Sequence, residues 1–416
     1  MISFTGISVA LFLLHFEGIH ALATASSCRV LGFAGSIGSS RLRVRSRSSN
    51  RLAPALHLAP RRRPSVSLPP APISIGVDLG GTSLRLGVYD RALDLLSSHS
   101  MPTRVAAGPQ SVVDEAAAAI ADLLRVHPGS QPIGIGIGSP GPINLQTGVL
   151  GLLPNFPGWD NFPLRDALSL ATGLPVLLES DANAAALAEW KCGSGSTSGL
   201  QSMAMITLGT GVGSGIILDG KVWHGMFGMG GEVGHATVDP DGLLCACGTR
   251  GCLEMYASAN GVIRLANAVA ESQQGTDALR RIVHRPSGFM PLEIAQLAEQ
   301  SDPAAILVFQ RMGSYLGIGI ANLINTLDLP MIVIGGGMAR AWDLFAPAMF
   351  DAVHDYSVVY RLVAPTQRLH QEHDRTFIRP ATIGPSAGLL GAGMLPFLAE
   401  DIKSNSAPPI LEERFQ

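Results

Sequence analysis

His235, Cys245, Cys247 and Cys252 fall in one stretch, GEVGHATVDPDGLLCACGTRGCLE. Three thiolates and one imidazole make the ligand set of a closed, tetrahedral, structural zinc site. The cysteine spacing, C-x-C-x4-C, is tight enough for one loop to wrap a single ion. The plainer alternative is three buried cysteines beside an unrelated histidine, but soft ligands this close rarely gather by accident. Glu232 and Glu254 bracket the cluster, and the ion needs neither. A metal-stapled loop with two spare carboxylates is suited to presenting polar groups to a ligand.

A second kind of chemistry sits in short glycine clusters. Asp78, Gly80, Gly81 and Thr82 form DLGGT; Gly209, Thr210, Gly211 and Gly213 fall in LGTGVG; Gly335, Gly336 and Gly337 end an apolar run. Backbone N–H groups without Cβ cover can approach phosphate oxygens closely. Asp78 could hold Mg²⁺ directly or through water. Each cluster alone could be only a turn, and no Walker A sequence occurs. Asp181, in ESDANAAA, stands where a strand gives way to a helix of small residues. It could face a cleft as a carboxylate, or merely cap that helix. Asn155, in PNFPGW, could donate to and accept from sugar hydroxyls, or close an Asx-turn.

The elements that must position these residues follow from periodicity. ISIGVDLGGTSLRLGVYD reads as strand, glycine turn, strand, with Leu84, Leu86 and Val88 on one face. MAMITLGTGVGSGIILDGKVW repeats the device, which hints at duplicated halves. A helix is expected over Ser111–Val126 with Ser111 as N-cap, another from Asp181, and a long apolar one over Ala304–Leu327. IGIGIGSPGPI, Pro175–Leu178 and PMIVIGGGM read as strands, and IGPSAGLLGAGML as a closing helix. Strands and helices alternate, so the class is α/β, with glycine clusters at strand ends where open α/β sheets place ligands.

The chain has 416 residues, 47% hydrophobic and 15% charged, with net charge −3. That is enough for two cores and gives no global case for nucleic-acid binding. Five cysteines, three of them in the metal cluster, fit a reducing compartment better than a disulfide framework. Residues 1–72 are a different material. Glu17 is the one acid before Asp78, and nine arginines lie between Arg29 and Arg63. The apolar run Ile7–Leu14 is too short to span a bilayer. A disordered or spurious leader from an early start codon is expected, against a secretory signal or an organellar transit peptide. The folded body then divides into 73–188 and 189–382, with a helix around 383–398 completing the first part.

DLGGT, SPGPIN, PNFPGW, ESDANAAALAE, TLGTGVGSGI, GGEVGHATVDPDG, CACGTRGCLE and IGGG together resemble the ROK family of sugar kinases and related repressors. The resemblance runs from about Ile73 to Leu395, in the family's order. It implies a two-domain, actin-like ATPase (ribonuclease H-like) fold with an interdomain cleft. It also implies phosphorylation of a hexose by ATP with Mg²⁺, structural Zn²⁺, and a homodimer or higher homo-oligomer. Neither nucleic acid nor membrane is an implied partner. Asp181 would be the general base. Asn155, Asp181, Glu232, His235 and Glu254 would bind the sugar, with His235 using one ring nitrogen for zinc and the other for the sugar. The three glycine clusters would hold the nucleotide. Two positions depart from the family pattern: Ser180 stands where Asn is common, and Ser83 where Lys is common, leaving Arg85 as the nearest cation.

The motifs look most like the glucokinase branch, with an N-acetylmannosamine or N-acetylglucosamine kinase as the alternative. A sugar-responsive regulator is the rival of another class. Residues 1–72 hold too many Pro, Ser and Arg for a helix-turn-helix, and DxGGT and Asp181 are both intact. The expected location is the cytoplasm, with organellar import by the Arg/Ser-rich leader as the alternative.

Overall fold

Two sheets of five strands share one plan. A computed structural model describes residues 70–405, apart from 154–155, 197–198 and 365–374. The first sheet is built from β1 (Ala71–Leu79), β2 (Ser83–Asp90), β3 (Leu95–Pro102), β4 (Ser130–Ser139) and, beyond the small pair β5 (Ile143–Asn144) and β6 (Val149–Leu150), β7 (Val176–Ser180). The second is built from β8 (Met203–Leu208), β9 (Val212–Leu218), β10 (Lys221–Val222), β11 (Met331–Gly335) and β12 (Phe377–Pro380). Their strand orders are β3-β2-β1-β4-β7 and β10-β9-β8-β11-β12. Each opens with an antiparallel glycine hairpin, β1–β2 or β8–β9, and continues through two parallel strands. The hairpin repeat seen in the sequence is therefore a repeat of whole sheets.

Period-2 alternation splits each sheet between two cores. Ile73, Ile75 and Val77 of β1 pack with Val112, Ala116 and Ile120 of helix Pro109–Arg125. Ser74 and Gly76 face the other way, onto helix Ala387–Asn405, where Ser74 Oγ donates to the Gly393 carbonyl at 2.6 Å. In the second sheet Met203, Met205, Met331 and Val333 share a core with Ala186 of helix Asp181–Cys192 and Met394 of helix Ala387–Asn405. Ala204, Ile206, Ile332 and Ile334 pack outward on the helices Ala259–Glu271, Pro303–Leu327 and Trp342–Tyr356. Two helices thus lie between the sheets, and other helices cover their outer faces.

Helix Pro303–Leu327 is long and apolar enough to cross a membrane. Here it is a core element: Val308, Phe309, Met312, Leu316 and Ile320 are buried in the second lobe. Asp302 caps it, accepting from Ala305 N–H at 2.9 Å. The helix expected from Ser111 starts earlier, at Pro109, with Gly108 at the N-cap and no side-chain cap. Proline's fixed φ suits the first helical position, so Ser111 falls inside.

Candidate active site

The C-terminal ends of β1, β7, β8 and β11 converge on a cleft of about 920 Å³. Each end is a short turn held by defined partners. The first glycine turn closes through Gly80 N–H to Ser83 O at 3.0 Å. Buried Thr103 braces it from β3's end, donating its N–H to Thr82 O at 3.0 Å and its hydroxyl to Gly80 O at 2.7 Å. The second turn closes through Gly209 N–H to Gly211 O at 2.9 Å. Glu254 accepts the Val212 N–H at 3.0 Å, and it lies so close to Gly211 that a Cβ there would collide with its carboxylate. Gly336, at φ +84°, lies against the backbone of Leu208, which joins the third turn to the second.

Gly80, Gly81, Thr82, Gly209, Thr210, Gly211, Gly213 and Gly336 all line the cleft. Gly335 and Gly337 flank it without lining it. Asp78 does not reach it either. Its buried carboxylate is held by the Arg85 guanidinium, which also donates to Pro385 O at 2.7 Å. Burial pushes Asp78 above the usual carboxylate range and Arg85 pulls it back. Asp78, expected to hold Mg²⁺ directly or through water, is paired here with Arg85 across the hairpin.

Asp181 follows directly on β7, and its exposed side chain lines the cleft. Ser180 is the N-cap of the following helix, its hydroxyl accepting Asn183 N–H at 3.1 Å. The capping role considered for Asp181 therefore belongs to Ser180. One Asp181 oxygen accepts Ala182 N–H at 2.7 Å. Desolvation raises the Asp181 carboxyl to about 6; the Ala182 N–H opposes the rise, and the charges of Asp78 and Glu232 add to it.

Glu232, His235 and Glu254 form the opposite wall. Ser214 of β9 pins the turn that carries the first two: its hydroxyl donates to Gly231 O and accepts Val233 N–H at 3.1 Å. Behind that wall the ligand atoms of His235, Cys245, Cys247 and Cys252 lie within 4.8 Å of one another. Cys245 Sγ is 3.8 Å from His235 Nδ1, and Cys247 Sγ is 3.6 Å from Cys252 Sγ. A tetrahedral zinc with bonds of about 2.0–2.3 Å sets ligand edges of about 3.5–3.8 Å, so the donor set fits that ion. The Thr249 backbone N–H draws the Cys247 thiol down to about 6, while burial pushes the Cys252 thiol up to about 12. Nδ1 faces the sulfurs, and the ring of His235 also lines the cleft.

Asn155 lies outside the described residues; Leu153 and Phe156 on either side of the gap are described. Phe156 N–H donates to Leu153 O at 2.9 Å, and buried Phe156 and Trp159 meet edge-to-face at 5.1 Å. Phe156 lines the cleft, as do Pro140, Gly141 and Pro142 at the end of β4 and Met229 opposite. SPGPI carried the turn signal for the first group; nothing in the local sequence marked Ser214, Thr103 or Met229. The charged residues of the described lining are Asp181, Glu232 and Glu254, without Lys or Arg.

Residues 74–397 match the ROK family model. A glucokinase of Halalkalibacterium halodurans is 38% identical over 326 residues, 77% of this chain and 94% of its own length. The crystal structure of a ROK hexokinase from Thermus thermophilus superposes with a TM-score of 0.64 at 34% identity, covering 79% of this chain and 99% of the other. A ROK glucokinase from Streptomyces griseus, solved in complex with glucose and AMPPNP, gives 0.62 at 33%, covering 78% and 98%.

Proposed function

The chain belongs to the ROK family, and from that premise we propose that it transfers the γ-phosphoryl group of ATP to the 6-hydroxyl of a hexose, glucose first. One observation carries the reading. Asp181 shares one cleft with the glycine turns at Gly80–Thr82 and Gly209–Gly213 and with the side chains of Glu232, His235 and Glu254, which supports reading it as the base between a phosphate site and a sugar site. Both curated and solved relatives named for this activity align along nearly their whole length.

In the proposed reaction Asp181 takes the proton of the sugar hydroxyl as that oxygen bonds to the γ-phosphorus and the bond to ADP breaks. A carboxyl raised to about 6 is ionised at neutral pH yet basic enough to accept that proton. Phosphoryl transfer asks the protein chiefly for positioning and charge stabilisation. The glycine-turn N–H groups and the hydroxyls of Thr82 and Thr210 would cradle the phosphates. Mg²⁺ would neutralise phosphate charge. Glu232, His235, Glu254 and Asn155 would accept or donate to the sugar hydroxyls. Zinc on His235, Cys245, Cys247 and Cys252 would be structural, since four protein ligands leave no open position. His235 Nε2 is then free to serve the sugar, its tautomer fixed by the metal bond at Nδ1.

We also place the enzyme in the cytoplasm as a homodimer or higher homo-oligomer. The reading is tested by ADP release with glucose, mannose, fructose, N-acetylmannosamine and N-acetylglucosamine in turn. Glucose should give the highest kcat/KM. Turnover confined to an N-acetylhexosamine would move the chain to that branch, and none with any sugar would leave the regulator.

A further inference from the structure

Glu179 is the penultimate residue of β7, two residues before Asp181, and is 5% exposed. A carboxylate that dry needs donors on both oxygens. Oε1 accepts Ser180 N–H at 2.9 Å and the Asn183 side-chain amide at 2.8 Å. Both donors belong to the strand-to-helix turn that presents Asp181. Oε2 meets His224 Nε2 at 2.7 Å. His224 belongs to the other lobe, at the root of the loop that runs from β10 to the 3-10 turn Val233–His235.

That loop carries much of the opposite wall of the cleft, namely Met229, Glu232 and His235. Its root is closed by Gly230 N–H donating to His224 O at 2.8 Å. Its tip is free, with Met226 and Phe227 about nine-tenths exposed. Burial alone would depress the His224 pKa, but the hydrogen bond to Glu179 outweighs it and the net shift is upward. A carboxylate oxygen can only accept, so Nε2 is the donor to Glu179. One buried side chain thus touches the turn of the base on one oxygen and the root of the sugar-facing loop on the other.

We propose that Glu179 and His224 form a positioning clasp across the cleft, which sets the Asp181 turn in register with the loop bearing Glu232 and His235. The proposal rests on the kinase reading above. The clasp touches no reacting atom. It fixes where the bound hydroxyl lies relative to the base, and a displacement of about 1 Å there can cost about 100-fold in rate. A mere brace would affect folding without changing turnover per active site.

The experiment compares wild type with His224→Phe, His224→Asn and His224→Gln. Gln can place an amide donor near the position of Nε2, whereas Asn is too short and Phe has no donor. Each protein is measured for zinc content, melting temperature, kcat per zinc-loaded site, and KM for sugar and for ATP. For Phe and Asn, kcat should fall about 10- to 100-fold with KM for ATP within about twofold. Gln should recover kcat to within about fivefold of wild type. If Phe fails to fold, the Gln-over-Asn order at equal zinc content decides. Wild-type kcat in Phe or Asn, or equal kcat in Gln and Asn, overturns the clasp. Wild-type turnover is measured first: its absence removes the kinase reading and the clasp with it, while turnover insensitive to His224 removes the clasp alone.

Discussion

At the scale of single residues, the division of labour between Ser180 and Asp181 decides the chemistry. Ser180 takes the helix cap, so the neighbouring carboxylate is left facing the cleft with one backbone contact. Its environment raises it to about 6, chiefly by desolvation. A base works when deprotonated, so with Asp181 as the proposed base kcat/KM should climb about tenfold per pH unit below 6 and level off above it. Asp181→Asn keeps the shape and removes the proton acceptor. It should lower kcat by about 10²–10⁴-fold, leave sugar affinity within about tenfold, and abolish the climb, as read by initial rates from pH 5 to 8. A variant that keeps wild-type turnover would take Asp181 out of its role. Asp78, the other acid at a strand end of the first sheet, is paired with Arg85.

At the scale of elements, the Cys/His loop would, with zinc bound, splint the wall proposed to meet the sugar. Cys252 is followed within two residues by Glu254, and His235 closes the 3-10 turn whose N-cap is Glu232. Cys247→Ser should lose the metal and weaken hexose binding about tenfold or more together, measured by metal analysis and calorimetry on one preparation. Unchanged affinity in metal-free protein would separate the two. The cysteine loop was legible because its ligands are sequence neighbours. The two hairpins were legible because alternation and glycine pairs mark them. β3 was not: LLSSHSMP lies at the sheet edge, mostly exposed on both faces, so no alternation is imposed on it. Helices Asp277–Val283 and Pro291–Glu299 span only seven and nine residues, too short for a helical period to stand out. Glu179 and His224 stand 45 positions apart in different lobes, and only folding brings them together.

At the scale of the whole molecule, the two like-built sheets enclose a cleft whose charged lining is acidic. A nucleotide triphosphate cannot neutralise itself against such walls and must bring its own counter-ion. Turnover should therefore vanish without Mg²⁺ while hexose binding, followed by tryptophan fluorescence, persists. Metal-independent turnover would mean that a cation outside the described lining reaches the phosphates. The helix Ala387–Asn405 has a consequence of another kind. It covers the inner face of the sheet that β1 begins, yet it comes near the end of the chain. During synthesis the ribosome releases β1 about 300 residues before the element that must cover it. The first lobe therefore waits, half-dressed, for the tail, and any nascent chain stalled before residue 387 exposes that face to chaperones.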